Sequence, residues 1–214
     1  MVNIQKILAN KKNYGGKRPT AIKYIVIHYT SNDGDRDESN GNYFKNNVVS
    51  ASAHYFVDSN SITQSVPDDY VAWSVGGNKY NNSGGKLYNK CVNNNSISIE
   101  LCDDVKNGTI YPSDKTIQNA LDLVESLMKK YSIPKENVIR HYDVNGKPCP
   151  KYWVDDAKWK SEFWNKIGNG SISTGVAKYK KQVQDRFGFS DQTIEWLATY
   201  KSADALFTKL ATKK

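Results

Sequence analysis

The sequence predicts an α/β fold, a mixed central β-sheet with flanking helices, followed by a small C-terminal all-helical module. Three segments lead to this prediction: strand patterns at residues 22–30 and 96–102 and a helical pattern at 114–131. Strands and a long amphipathic helix in one chain are typical of domains in which helices cover a sheet. With 38% hydrophobic and 24% charged residues, the composition is that of a globular protein.

The predicted strands differ in their apolar patterns. The segment IKYIVIHYT (22–30) is apolar on both alternating sets, as expected of a central strand buried on two faces. The segments AHYFVD and ITQSVP flank SNS, which predicts two strands joined by a tight turn. In SISIELC (96–102) the period of two places apolar residues on one face and Glu100 on the other. A carboxylate therefore points away from the apolar face of this strand.

The helical patterns divide the rest of the chain. Residues 114–131 carry apolar residues at spacings of three and four, and YPSD upstream supplies capping residues. A short strand (NVIRH), a loop (NGKPCP) and an aromatic-rich helix complete a predicted domain at 1–167. The polar, glycine-rich segment 168–175 predicts a linker, and 176–214 has the apolar spacing of three short helices. Ser190 and Ser202 are the predicted N-caps of the second and third of these helices.

The net charge of +8 predicts an anionic partner. Nucleic acid, a membrane surface and a bacterial cell-wall polyanion all fit this charge. Residues 176–214 hold eight Lys and Arg against four Asp and Glu, but the lysines are scattered rather than gathered on one recognition helix, which argues against nucleic acid. The N-terminal segment lacks the apolar run of a signal peptide, and no segment approaches membrane-span length. We therefore expect synthesis in the cytoplasm without a signal peptide, and no membrane insertion.

Histidine and cysteine are scarce, and several lie at predicted strand ends. The chain has three of each; His28 and His141 end or follow strands, and Cys149 lies eight residues beyond His141. Zinc accepts imidazole and thiolate ligands, and three protein ligands leave its fourth position for water. His28, His141 and Cys149 are therefore a candidate zinc site. The spacing leaves open that each His satisfies a local hydrogen bond and that Cys149 is a small buried apolar residue.

Five ordered motifs, YIVIHYT, SAHYFVD, VAWSVGG, SISIELC and RHYDVNGKPCP, resemble those of the zinc-dependent N-acetylmuramoyl-L-alanine amidases. This family includes bacteriophage endolysins and Bacillus autolysins and shares its fold with animal peptidoglycan recognition proteins. The resemblance covers about residues 1–165. It implies a hydrolase that cleaves the amide bond between N-acetylmuramic acid and L-alanine of peptidoglycan, with Zn²⁺ held by His28, His141 and Cys149.

The resemblance also implies roles for four further residues. Glu100 corresponds to the catalytic glutamate, which takes a proton from water and delivers it to the leaving amine. Lys147 corresponds to a lysine that stabilises the oxyanion. A surface strand carboxylate and a solvated loop lysine are the respective alternatives. His54 and Trp73 are expected to contact substrate; because Ala53 stands where some relatives have a catalytic tyrosine, tyrosine-dependent chemistry is not expected.

The tail resembles the wall-binding modules of clostridial phage lysins, particularly at RFGFSDQTIEWLATYKSADALFTKL. This resemblance implies an endolysin of a Gram-positive host, which lyses the cell after its release to the wall, with residues 176–214 bound to an anionic wall polymer. A bacterial autolysin is an alternative origin. The alternative from another class is a recognition protein that binds peptidoglycan without cutting it. Binders in the animal branch lack the cysteine ligand, whereas Cys149 is present here.

Overall fold

A computed structural model describes residues 3–168, 174–198 and 203–212. The chain divides into two compact units, Met1–Trp164 and Asn165–Lys214. Most of the predicted linker at 168–175 lies outside the described residues. Within the described ranges, no helix has the length and apolar character needed to cross a membrane.

The first unit is built on a β-sheet. Its strands over residues 3–168 are β1 (Ile4–Lys6), β2 (Tyr14–Lys17), β3 (Tyr24–Tyr29), β4 (Tyr55–Val57), β5 (Ile62–Gln64), β6 (Tyr70–Ala72), β7 (Ser96–Leu101) and β8 (Val138–Arg140). Six of these form one sheet in the order β1-β5-β4-β7-β3-β8, and β2 pairs with β6 in a separate antiparallel ribbon. Because β3 is parallel to β7 and β8 while β4 is antiparallel to β5, the sheet is mixed, as predicted.

Helices flank this sheet. They are α1 (Asp37–Asn46), α2 (Asp114–Tyr131), α3 (His141–Asn145) and α4 (Asp156–Glu162). Helix α2 spans the predicted residues, and Ser113 Oγ caps it by accepting a hydrogen bond from the Thr116 N–H at 3.2 Å. Its apolar stripe is buried against β4 and β7. The predicted α/β class, with helices covering a mixed sheet, is confirmed.

Strand β3 lies inside the sheet, and its position determines where the site forms. Ile25, Val26 and Ile27 have no exposed surface, as expected of a strand buried on both faces. Since β3, β7 and β8 run parallel, their carboxyl ends meet at one edge of the sheet. That edge is where ligands bind in open α/β sheets.

A buried carboxylate joins the end of helix α2 to the sheet. Asp68 accepts hydrogen bonds from the hydroxyls of Tyr55 and Tyr131, both at 2.6 Å, from Lys130 Nζ at 2.9 Å and from Gln64 Nε2 at 3.1 Å. Burial alone would raise the pKa of Asp68, but these hydrogen bonds outweigh burial and hold the pKa below its usual value. Asp68 therefore stabilises the fold as a carboxylate.

The second unit consists, in its described part, of α5 (Thr174–Phe187), α6 (Asp191–Ala198) and α7 (Ala203–Thr212). Five buried side chains form its core: Val183, Ile194, Ala203, Phe207 and Ala211. The predicted cap of the second helix is present, because Ser190 Oγ accepts a hydrogen bond from the Thr193 N–H at 3.2 Å. The cap predicted at Ser202 lies outside the described residues.

We predict that Asp68→Ala lowers the free energy of unfolding by about 2–4 kcal/mol, because two phenols and an ammonium lose a charged acceptor. Denaturant unfolding measures the change. The matched control is Asp69→Ala at the exposed neighbouring carboxylate, which should change stability by less than about 0.5 kcal/mol. Equal losses in the two variants would contradict the role given to Asp68.

Candidate metal centre

His28, His141 and Cys149 meet at the carboxyl edge of the sheet. His28 is the penultimate residue of β3, and His141 is the first residue of α3, directly after β8. One ligand atom from each of the three residues lies within 4.8 Å of the others. Cys149 Sγ is 3.7 Å from His28 Nδ1, and the two imidazole centroids are 4.7 Å apart. Residues 121 positions apart in the chain are thus brought together by strand pairing.

The ligand atoms of this cluster are buried and mostly unpaired. His28, His141 and Cys149 are each no more than 3% exposed. Within the described structure, His28 Nε2 and both ring nitrogens of His141 have no hydrogen-bond partner. Buried nitrogens without partners carry a desolvation cost that a bound cation would offset. The donor set, two imidazoles and a thiol, therefore makes this cluster a possible metal site.

The protonation states of the two imidazoles suit a cation. Burial, with the neighbouring His141 and Lys147 charges adding to it, lowers the pKa of His28 well below its usual value. Burial and Lys147 lower the pKa of His141 to about 4. Both rings are therefore neutral at pH 7 and keep a lone pair for a ligand bond. Burial raises the pKa of the Cys149 thiol to about 12, and a bound cation would favour the thiolate instead.

Glu100 lies beside the cluster. The parallel pairing of β3 with β7 places it opposite His28, and its Oε1 is 3.8 Å from His28 Nδ1. Its side chain is 20% exposed, and Oε2 is buried without a hydrogen-bond partner among the described residues. Burial raises the pKa of Glu100 to about 8, while the Lys147 charge opposes this shift and that of Asp35 adds to it. Glu100 is therefore a partly buried carboxyl group next to the candidate ligands.

Two cavities flank the cluster. We call the first, of about 880 Å³, the Asp35 cavity; its lining includes His28, Glu100 and Cys149 as well as Asp35. We call the second, of about 710 Å³, the Lys79 cavity; its lining includes His141 and Lys79. Trp73, Ser74 and Lys147 line both cavities. The predicted substrate contact Trp73 and the predicted oxyanion lysine thus lie where the two cavities meet.

His54 occupies a different environment. It is 1% exposed, and its Nδ1 pairs with Ser98 Oγ at 3.1 Å. Its Nε2 is in contact with Arg18 and with the carbonyl oxygen of Tyr70. Burial, followed by the Arg18 charge, lowers the pKa of His54 to about 3. A direct contact with substrate would require a ring nitrogen to exchange one of these bonds, so that contact stays a prediction.

The Asn- and Gly-rich segment 76–95 is long for a compact domain, which predicts a groove wall. Its residues 76–80 line the Lys79 cavity. This groove wall, residues 76–88, is bonded to α3 through main-chain donors: Tyr80 N–H to Asn145 O at 2.7 Å, Gly85 N–H to Tyr142 O at 2.9 Å, and Leu87 N–H to Asp143 O at 2.9 Å. The Asn145 side chain adds a bond to Gly76 O at 3.3 Å and accepts one from the Lys147 N–H at 3.0 Å.

Glycine permits this close approach. A Cβ atom at Gly84 would lie 2.7 Å from Tyr142 O and 2.8 Å from Gly146 Cα. Gly146 itself has φ of +87°, the left-handed region that glycine enters at low cost. The sequence shows a glycine pair in the wall and an Asn-Gly pair at the end of α3. Neither pair indicates by itself that the wall packs against α3.

Comparison with known proteins agrees with this architecture. The family described as N-acetylmuramoyl-L-alanine amidase matches residues 18–152. The N-acetylmuramoyl-L-alanine amidase CwlL of Bacillus licheniformis is 33% identical over 184 residues, which are 81% of this chain and 50% of that protein. BlyA of Bacillus subtilis, with the same description, is 32% identical over 80% of this chain and 48% of its own length. The chain spans about half the length of these curated relatives.

Solved structures show the same fold. A mutant endolysin from Bacillus subtilis has a TM-score of 0.62 and 31% identity, with 78% of this chain and 99% of that one covered. The PlyG catalytic domain has a TM-score of 0.61 and 35% identity, with 80% and 97% covered. The α/β fold of the first unit is thus the fold of endolysin catalytic domains. The chain belongs to the N-acetylmuramoyl-L-alanine amidase family.

We predict that Gly84→Ala destabilises the protein by about 1–3 kcal/mol, because the added methyl group forces the groove wall away from α3. Denaturant unfolding of the full chain gives the measurement. Gly16→Ala is the control, since a Cβ there would meet nothing within 4 Å. An unchanged stability in Gly84→Ala would show that the wall and the helix do not pack as described.

Proposed function

We propose that this chain is a peptidoglycan hydrolase that cleaves the amide bond between N-acetylmuramic acid and L-alanine of the stem peptide. The observation that carries the proposal is the buried cluster of His28, His141 and Cys149, which faces a two-part groove in a member of the amidase family. We further propose that these three residues hold Zn²⁺.

Zinc fits this donor set. Two imidazole nitrogens and one thiolate are common zinc ligands, and sites with three protein ligands are of the catalytic type because one position stays open. When bound, zinc supplies a Lewis acid that lowers the pKa of water toward neutrality and polarises an amide carbonyl. The unpaired ring nitrogens of His28 and His141 support this assignment.

Glu100 and Lys147 complete the proposed mechanism. Glu100 lies within 3.8 Å of His28 and lines the Asp35 cavity. A cation bound beside it would favour its carboxylate form, which can take a proton from a water molecule there and deliver it to the leaving amine of L-alanine. Lys147 lines both cavities, so its ammonium can stabilise the negative charge that develops on the amide oxygen. Trp73, which is 38% exposed where the cavities meet, would contact the substrate on either side of the bond.

We propose that the chain has two functional domains joined by a linker at 168–175. Residues 1–167 form a zinc amidase domain, and residues 176–214 form a basic three-helix module that binds an anionic wall polymer. The module contains eight basic and four acidic residues, and this positive net charge supports binding to an anionic polymer. As an endolysin, the protein would be made in the host cytoplasm and act at the wall after release, causing lysis. The full set of candidate ligands favours hydrolysis over recognition without cleavage.

We predict different outcomes for a ligand and for the proton carrier. Cys149→Ser should lower the zinc content of the purified protein at least about tenfold and abolish release of L-alanine amino groups from purified walls. Glu100→Gln should retain zinc and lose about 10²–10⁴-fold in kcat. Metal analysis and an amine assay on both variants measure these effects. Full activity in Glu100→Gln would remove Glu100 from the mechanism, and undiminished zinc in Cys149→Ser would remove Cys149 from the metal site.

We predict that a chain ending at residue 167 still cleaves soluble muropeptides but binds whole cell walls less tightly. The first unit has its own sheet and core, and the truncation removes the basic module. Sedimentation with purified walls measures binding, and the amine assay measures cleavage. Equal wall binding by the truncated and full chains would contradict the role proposed for residues 176–214.

A further inference from the structure

The two cavities beside the cluster differ in charge. Among its described lining residues, the Lys79 cavity has two lysines, Lys79 and Lys147, and no acidic residue. The Asp35 cavity has two acidic residues, Asp35 and Glu100, and shares Lys147 with its neighbour. A ligand that spans the groove therefore meets two lysines on one side of the cluster, and on the other side the Asp35 carboxylate and the Glu100 carboxyl group beside Lys147.

Lys79 belongs to the groove wall and lines the Lys79 cavity. The aliphatic stem of Lys79 lies over Gly85, where an added Cβ would come within 2.9 Å of Lys79 Cε and 3.2 Å of Lys79 Cγ. The adjacent Tyr80 N–H is bonded to Asn145 O at 2.7 Å. Asn145 is the last residue of α3, the helix that begins with His141. Lys79 is thus connected to the candidate ligand His141 through one hydrogen bond, from the adjacent Tyr80 to Asn145, and through helix α3.

The proposed substrate has a matching asymmetry. The carboxyl group of its N-acetylmuramic acid is part of the amide bond to be cleaved, so the sugar side is uncharged. The stem peptide on the other side carries free carboxylates, of which the nearest belongs to the second residue when that residue is D-glutamate linked through its side chain. Lys147 lines both cavities, so Lys79 and Asp35 set the direction. Attraction between this carboxylate and Lys79, and its repulsion from Asp35, favour binding with the peptide in the Lys79 cavity.

The Asp35 cavity suits the sugar side. Its lining includes the exposed rings of Tyr43 and Trp73 and the polar side chains of Ser31, Asn32 and Ser39. Apolar ring faces combined with hydrogen-bonding groups are suited to an uncharged polar ligand. These rings and neutral polar side chains can therefore bind an uncharged sugar.

We propose that Lys79 is a specificity-determining residue that binds the free α-carboxylate of the second stem-peptide residue, with the peptide in the Lys79 cavity and the glycan in the Asp35 cavity. This inference rests on the proposed amidase function. It adds the direction of the substrate across the cluster and a preference between two wall chemistries: D-glutamate at the second position, with its carboxylate, over D-isoglutamine, in which that group is an uncharged amide.

The test compares two N-acetylmuramoyl tetrapeptides that differ only in D-glutamate or D-isoglutamine at the second position. With the zinc-loaded full chain, kcat/KM should be about tenfold higher for the glutamate substrate, which corresponds to about 1.4 kcal/mol. In Lys79→Gln this ratio should fall to about one, and in Lys79→Arg it should be largely retained. Lys90→Gln, at an exposed lysine that lines neither cavity, should leave the ratio as in the parent.

The outcomes separate the inference from the function on which it rests. If the parent cleaves both substrates and Lys79→Gln keeps the parental ratio, Lys79 does not bind the carboxylate. A parental preference for the isoglutamine substrate would reverse the proposed direction. If the parent releases no amine from either substrate, the proposed function itself fails, and this assignment fails with it. Because the readout is a ratio within each variant, a general loss of activity in Lys79→Gln does not imitate the expected result.

Discussion

The site depends on the parallel pairing of β3 with β7 and β8. This pairing places His28 opposite Glu100 and ends β8 one residue before His141. A shift of one residue in the pairing would turn each of these side chains to the other face of the sheet, because successive strand residues alternate in direction. The alternation in β7 opposes such a shift, since it would exchange the apolar face of Ile97, Ile99 and Leu101 with the face that carries Ser98 and Glu100. The same packing therefore stabilises the fold and sets the geometry of the candidate ligands.

Features determined by local sequence were predictable. Helix α2 has the predicted bounds because its apolar spacing and its Ser113 cap both lie within the segment itself. Strand β3 was predicted from its continuous apolar run. The gathering of His28, His141 and Cys149 was suggested by residue chemistry and by family resemblance; spacing alone left it open, because the ligands are separated by long stretches of chain.

Features that depend on contacts between distant segments were not predictable in the same way. Nothing near His54 in the sequence indicates that Arg18 and Ser98 contact its ring. Lys79 resembles any loop lysine until the wall is seen bonded to α3. The long Asn- and Gly-rich segment that contains this wall has neither strand nor helix periodicity, so only its length and its glycines set it apart.

The groove wall is attached to α3 chiefly by main-chain donors, those of Tyr80, Gly85 and Leu87. Hydrogen bonds made by the backbone do not depend on which side chains the segment carries. The exposed side chains at positions 78 and 79 can therefore change during evolution, or in the laboratory, without loss of these attachments. If positions 78 and 79 contact the stem peptide as proposed, a few substitutions there would change which cell-wall chemistry is bound, while the candidate metal ligands stay in place.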